Sequence, residues 1–332
     1  MRVACFSALA LLAAPAAADP LPDLSLAPEV TVSGLSSGAF MAVQLQTAFS
    51  ASVTGAGVVA GGPYDCAGGS VYRALFVCMD QFWIEPGTAR TLETIAALEG
   101  RIDPPERLAD DRVYLFHGTW DDTVGRPAMD ALAGTYAALG VPSGAMSYVT
   151  DVEAGHGFLT EAGQVECHRT APDFLNDCDI DQAGDILSWL LGPLAPGQAV
   201  PDHLRSYDQG PYAEGATGLG ETGFVYVPAS CAAGETCRLH IALHGCKQGA
   251  ERIGDAFARR TGYNAWAEAN RIVVLYPQAA TVPGPWYNVF GGNPNGCWDW
   301  WGYGSEDYLS REAPQIAAIG RMAAALGAAL AP

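Results

Sequence analysis

The sequence predicts an α/β fold, a central mostly parallel sheet with helices on both faces, gathered in a single domain. Short apolar runs end in glycine-rich or polar loops, and these runs alternate with stretches of helical period. The 332 residues allow one large α/β domain or two small ones. In chain order, strands are expected at 30–33, 57–60, 113–116 and 146–150, then at 224–227, 239–243 and 272–276. Helices are expected at 39–49, 127–139, 181–191, 256–269 and 314–330, the last an alanine-rich tail that fits a packed amphipathic helix. Residues 192–201, Gly192-Pro193-Leu194-Ala195-Pro196-Gly197-Gln198-Ala199-Val200-Pro201, can neither continue a helix nor join a central strand. They read as a connector between two halves of the chain.

Residues 1–18 have the layout of a secretory signal peptide, with Arg2 ahead of an apolar run and Ala16-Ala17-Ala18 at its end, so the exported chain is expected to span 19–332. The run is too short to cross a membrane, and no later stretch reaches the roughly 18 apolar residues a transmembrane helix needs. A soluble monomer, extracellular or periplasmic, is the expectation. Of nine cysteines, removal of Cys5 leaves Cys66, Cys78, Cys167, Cys178, Cys231, Cys237, Cys246 and Cys297, an even set that implies disulfides in an exported chain. Spacing alone leaves about 105 pairings open. Local pairing is the simplest: Cys66 with Cys78, Cys167 with Cys178, Cys231 with Cys237, and Cys246 with Cys297. No C-x-x-C or H-E-x-x-H occurs, so no metal is expected. The acidic run Asp173, Asn176, Asp177, Asp179 and Asp181 lacks the glycine and terminal glutamate of an EF-hand, and reads as acids complementing the dipole of the 181–191 helix. A formal charge of −19 argues against nucleic acid or an anionic membrane as partner and keeps the protein soluble.

The chemistry begins at Gly34-Leu35-Ser36-Ser37-Gly38. Glu29-Val30-Thr31-Val32 precedes this pentapeptide and Ala39-Phe40-Met41-Ala42-Val43 follows it, giving the strand-turn-helix context of a G-x-S-x-G nucleophile elbow. Side chains at Gly34 or Gly38 would collide with the neighbouring strand and helix, while the turn holds the serine in a strained backbone. A serine hydroxyl needs a histidine to take its proton and a carboxylate to orient that histidine. Arg112-Val113-Tyr114-Leu115-Phe116 runs into His117-Gly118-Thr119-Trp120-Asp121-Asp122, which places Asp121 on a loop at a strand's carboxyl end, where α/β folds put catalytic groups. The alternatives are Asp122, or an aspartate that only caps the helix near Pro127. The next strand leads to His156 between Gly155 and Gly157, glycines expected to let the loop swing the imidazole toward Ser36. His117 and His244 directly follow strands and read as supporting residues. The order serine, aspartate, histidine agrees with α/β-hydrolases. For the oxyanion, one backbone donor is expected from Ser37 and the other from Cys246, in the His244-Gly245-Cys246-Lys247-Gln248 turn after the 239–243 strand. A Cys246–Cys297 bond would fix that turn against the Trp298 segment.

The G-L-S-S-G elbow near the amino terminus, Asp121 in HGTWDDTV, His156 in AGHGF and the late LHGCKQ turn together resemble the secreted single-domain poly(3-hydroxybutyrate) depolymerases of circularly permuted α/β-hydrolase type. The likeness extends to Val274-Leu275-Tyr276-Pro277-Gln278 and Cys297-Trp298-Asp299-Trp300-Trp301, and so covers nearly the whole exported chain. It implies that residues 192–201 are the seam where ancestral termini were joined, and that the HG turn follows the histidine where ordinary relatives place it before the elbow. It also implies a secreted serine esterase acting on polyester or oligoester without a cofactor. Trp286, Tyr287, Phe290, Trp298, Trp300, Trp301 and Tyr303 crowd one glycine-rich region and can line an apolar crevice or fill the core. Trp301 is favoured as a substrate contact by the resemblance, with Trp298 and Tyr287 beside it. An acetyl or feruloyl esterase shares this chemistry, and a non-catalytic binding protein on the same fold is the alternative of another class.

Overall fold

The computed structural model describes residues 20–80, 84–285 and 291–330. The leader expected at 1–18, and with it Tyr287, Trp286 and Phe290, lie outside the described residues. In chain order the strands are β1 Leu26–Leu35, β2 Val53–Val59, β3 Arg112–Phe116, β4 Met146–Val149, β5 Phe158–Thr160, β6 Val165–Glu166 and β7 Leu175–Asp177. There follow β8 Leu204–Asp208, β9 Thr222–Tyr226, β10 Cys237–Leu243 and β11 Ile272–Tyr276. The principal sheet has eight strands in the order β4-β3-β2-β1-β10-β11-β9-β8, and β5-β7-β6 form a separate small sheet. Every neighbouring pair from β4 to β11 is parallel, whereas β9 runs antiparallel to both β11 and β8.

All seven strands expected from the sequence are present. Their side chains alternate between two cores, as the pleat requires. On β3, Val113 and Leu115 point into one core and Tyr114 and Phe116 into the other; on β11, Val273 and Leu275 oppose Ile272, Val274 and Tyr276. Helices Ser37–Ala48, Arg126–Leu139 and Pro314–Ala325 supply the first core through Met41, Met129 and Ile316. Helix Gln182–Leu191 and helix Tyr263–Asn270 supply the second through Ile186, Leu187 and Ala267. β1 is buried without a break from Val30 to Leu35, and its two polar side chains there, Thr31 and Ser33, are bonded to the two ring nitrogens of His240 at 2.8 Å each.

Two of the expected helices need correction. The helix expected at 256–269 is two, Ala256–Arg260 and Tyr263–Asn270, broken at Gly262, whose φ of +93° no other residue type adopts readily. The terminal helix stops at Ala325, short of residue 330, ahead of Gly327 at φ +104°. Edge strand β8, the small sheet and the helix Pro86–Leu98 were not expected. The disulfides follow the local pairing, Cys66–Cys78, Cys167–Cys178, Cys231–Cys237 and Cys246–Cys297.

Parallel pairing aligns the carboxyl ends of the strands that feed the candidate site. Gly34 pairs with Leu243, Leu35 with Val59, Val59 with Phe116 and Phe116 with Val149. The segments beginning at Ser36, His244, His117 and Thr150 therefore leave one edge of the sheet side by side. Between β1 and β10 the connections diverge, since β10 leads to β11 on one side and β1 to β2 on the other. Open α/β sheets bind ligands in the crevice at such a switch point.

Candidate active site

Ser36 joins β1 to the helix Ser37–Ala48 and sits at φ 56°, ψ −120°. A non-glycine residue there is strained, and its surroundings leave it no alternative. The Ser36 N–H donates to Val59 O at 2.9 Å, and its carbonyl accepts from Ala39 and Phe40 N–H at 2.8 and 3.0 Å. A Cβ on Gly34 would lie 2.2 Å from Gly38 O, and one on Gly38 2.4 Å from the carbonyl oxygens of Leu243 and His244. Both elbow glycines are thus required by close backbone approach, as expected. Ser36 as a whole is 7% exposed. Its hydroxyl has no hydrogen-bond partner among the described residues. Ser37 is the first helical residue, so its N–H has no intrahelical acceptor.

Asp121 and His156 come together. His156 Nδ1 lies 2.8 Å from Asp121 Oδ2, and both residues are buried. The second carboxylate oxygen accepts from Thr123 and Val124 N–H at 2.8 and 3.1 Å. Burial alone would raise the Asp121 pKa, but the adjacent imidazole and these hydrogen bonds outweigh it and hold the carboxyl below its ordinary value. Asp121 therefore stays ionised and fixes the Nδ1–H tautomer of His156, leaving Nε2 unpaired among the described residues. His117 supports the loop by donating from Nε2 to Val124 O at 2.9 Å. Asp122 is exposed, and the following helix begins at Arg126 after Gly125, so neither aspartate caps it.

The glycines beside His156 serve close packing rather than the freedom expected of them. A Cβ on Gly155 would meet the Arg169 carbonyl carbon at 2.5 Å, and one on Gly157 the Asn176 Oδ1 at 2.2 Å. Asn176, fully buried, donates to Cys167 O and Arg169 O at 2.9 Å each, tying the segment closed by Cys167–Cys178 against the histidine loop. Asp181, last of the acidic run, caps helix Gln182–Leu191 by accepting from Gly184 N–H at 2.9 Å. Among the described residues no cluster of histidine, cysteine, aspartate or glutamate could hold a metal ion.

The HG turn is pressed onto the elbow, since a Cβ on Gly245 would lie 3.3 Å from Ser36 Cβ. Lys247 N–H donates to Asn295 O at 2.7 Å, Trp298 Nε1–H to His244 O at 3.0 Å, and Trp298 N–H to Ser37 Oγ at 3.3 Å. The Cys246–Cys297 disulfide clamps the same contact. The Cys246 N–H itself has no acceptor among the described residues. Beside it opens an apolar cavity of about 250 Å³ whose walls include Cys246, Cys297, Asn293, Met79, Trp300 and Trp301. Trp300 stacks on Phe40 at 4.0 Å between ring centroids, and Trp301 stands edge-on to it at 5.6 Å. Trp298, expected to touch substrate with Trp301, is instead fully buried behind the turn.

Asp299 was not singled out from the sequence. Its carboxylate accepts from Gly302, Tyr303 and Gly304 N–H at 2.8, 2.9 and 3.0 Å, and so shapes the loop that carries Trp300 and Trp301. The signal was present as an aspartate followed by glycines, the pattern of a side chain bonding the backbone that follows it.

A strained serine elbow after one strand, a buried aspartate–histidine pair from two strands further out, and an HG turn alongside define an α/β-hydrolase fold. No family model matches the sequence. The chain is 41% identical over 313 residues to a poly(3-hydroxybutyrate) depolymerase of Delftia acidovorans, covering 92% of this chain and 61% of that protein's length. It is 39% identical over 333 residues to a polyhydroxybutyrate depolymerase of Talaromyces funiculosus, covering 96% of this chain and 94% of the relative. The crystal structure of a PHB depolymerase from Penicillium funiculosum superposes with a TM-score of 0.84 at 37% identity, over 93% of this chain and 99% of the other. A serine-to-alanine variant of a PHB depolymerase in complex with an R3HB trimer superposes with a TM-score of 0.83 at 36% identity, over 93% and 98% of the two chains. The chain belongs to the polyhydroxybutyrate depolymerase family.

Proposed function

We propose that the protein is a secreted serine esterase that hydrolyses poly(3-hydroxybutyrate) or its short oligomers through an acyl-enzyme. The observation that supports this best is the buried Asp121–His156 pair on the sheet edge from which Ser36 also leaves, in a chain of this family. In this reading His156 Nε2 takes the Ser36 proton as Oγ attacks the ester carbonyl carbon. The tetrahedral oxyanion accepts from the Ser37 and Cys246 N–H groups, neither of which has a protein acceptor among the described residues. Collapse expels the alcohol end, protonated by His156. Water, deprotonated by the same imidazole, then cleaves the acyl-enzyme, while Asp121 stabilises the imidazolium at each stage. These steps need no cofactor. Trp301, on the cavity wall, offers an apolar face to the aliphatic repeat, and a family member in complex with an R3HB trimer supports an oligoester as substrate.

Export fits the four disulfides, which persist in oxidising compartments. Residues 192–201 act as the permutation seam. Counted from β8, the principal sheet reads 1-2-4-3-5-6-7-8, which puts the HG turn after the third strand, where hydrolases of ordinary order carry it. The seam is pinned where it passes helix Tyr263–Asn270, by Asn270 bonding Ala195 N–H and O at 2.9 and 2.7 Å.

The purified protein should clear a polyhydroxybutyrate suspension with release of soluble 3-hydroxybutyrate products. Ser36→Ala should lower the rate by at least about 10⁴-fold with an unchanged circular dichroism spectrum. An active Ser36→Ala protein sinks the mechanism. Acetate release from acetylated xylan without clearing transfers the reading to a carbohydrate esterase, and no reaction with a fluorophosphonate probe would leave a binding protein on a hydrolase fold.

A further inference from the structure

We propose that His244 is a positioning residue that holds the Gly245–Cys246 peptide with its N–H toward the reacting carbonyl. The inference deepens the esterase reading and rests on Cys246 N–H being an oxyanion donor. In a trans peptide the carbonyl and the N–H point in opposite directions, so whatever fixes the Gly245 carbonyl also aims the Cys246 N–H. Two groups fix it. His244 Nδ1 lies 2.7 Å from Gly245 O, and Gln248 N–H donates to the same oxygen at 3.3 Å.

The direction of the His244 bond follows from its other nitrogen. Ala279 N–H, just past β11, donates to His244 Nε2 at 3.0 Å, so Nε2 accepts and the ring proton sits on Nδ1. The imidazole therefore donates to Gly245 O while leaning on the chain of the neighbouring strand. It is fully buried between the Phe257 and Trp298 rings, with centroids 6.2 and 5.4 Å away. Burial pushes its pKa down to about 4, which keeps this neutral tautomer across neutral pH. The preceding peptide is held separately, as Gly245 N–H donates to Gln248 Oε1 at 2.7 Å and Gln248 Nε2 to Asp173 O at 2.7 Å. Gly245 has no side chain to resist rotation of the peptide that follows. Without the imidazole the plane can turn, taking the donor away and bringing a carbonyl oxygen to face the oxyanion.

The test compares His244→Ala, His244→Asn and Ser36→Ala on a soluble p-nitrophenyl butyrate substrate, with inhibition by an alkyl boronic acid that forms a tetrahedral adduct on the serine. His244→Ala should lose about 100-fold in kcat, with KM within about 3-fold and boronate affinity weakened in step with kcat. His244→Asn, whose amide can still donate to Gly245 O, should recover at least about ten-fold of that loss. Wild-type kcat in folded His244→Ala overturns the inference. So does a folded His244→Asn protein as slow as His244→Ala, or, where His244→Ala does not fold, one itself slowed about 100-fold. Activity in Ser36→Ala would instead overturn the esterase reading beneath it; an inert Ser36→Ala with a fully active His244→Ala removes this inference alone.

Discussion

Ser36 holds a backbone conformation that costs on the order of 1–3 kcal/mol, and the strand, the helix and two obligatory glycines around it maintain that strain. A second unfavourable residue lies far from the chemistry. Glu93 is buried, its Oε2 has no partner among the described residues, and burial pushes its pKa up to about 8. Asp111, bonded to Gln46 at 2.7 Å, is pushed up to about 7, also by burial. In the unfolded chain both titrate near about 4. The native state thus binds more protons than the unfolded state above that pH, and stability present at acid pH is lost as pH rises from about 4 through 8. Glu93→Gln removes one of these protons from the balance. Its melting temperature should fall less than the wild type's between pH 5 and pH 9, leaving the variant more stable at the alkaline end by on the order of a few kcal/mol. Parallel pH profiles for the two proteins contradict this. The Ser36 elbow and the Asp121–His156 pair were legible because these residues stand at the ends of apolar runs. Trp298 was not, since an aromatic ring in a glycine-rich loop looks the same whether it faces a crevice or backs a turn.

At the scale of elements, Glu93 also explains why helix Pro86–Leu98 was missed. Its buried positions are Ala89, Glu93 and Ala96, a helical stripe with a carboxylate at its centre and only alanines beside it. Strands β5, β6 and β7 are two or three residues long, too short to show alternation. The parallel strands were legible because burial on both faces makes them largely apolar, as in Val113-Tyr114-Leu115-Phe116 and Ile272-Val273-Val274-Leu275. Among the disulfides, Cys246–Cys297 closes a separation of 51 residues and Cys231–Cys237 one of 6. Chain entropy assigns the first roughly 4 kcal/mol and the second roughly 2. Replacing Cys246 and Cys297 together by alanine should lower unfolding free energy in urea by up to about 4 kcal/mol and also reduce kcat, because the HG turn loses its tether to the Trp298 segment. The double alanine variant at Cys231 and Cys237 should lose about half as much stability and keep its kcat. Equal kinetic loss in both variants contradicts a specific role for the first bridge.

Over the whole molecule, the site draws on segments from both halves, yet register alone brings them to one edge. The rotated strand order was foreshadowed in the sequence by an HG turn arriving after the histidine, whereas the pairing that aligns Leu243, Gly34, Val59, Phe116 and Val149 was not. Register depends on contacts between distant strands, which no local pattern encodes. No helix among the described residues is long and apolar enough to cross a membrane. The proposal that this scaffold carries a serine nucleophile is tested most directly by quenching the protein in acid during turnover of p-nitrophenyl butyrate and mapping its peptides by mass spectrometry. One butyryl group on Ser36, absent from Ser36→Ala, is the expected result. Continued turnover with Ser36 unmodified, or the acyl group on another residue, would contradict it.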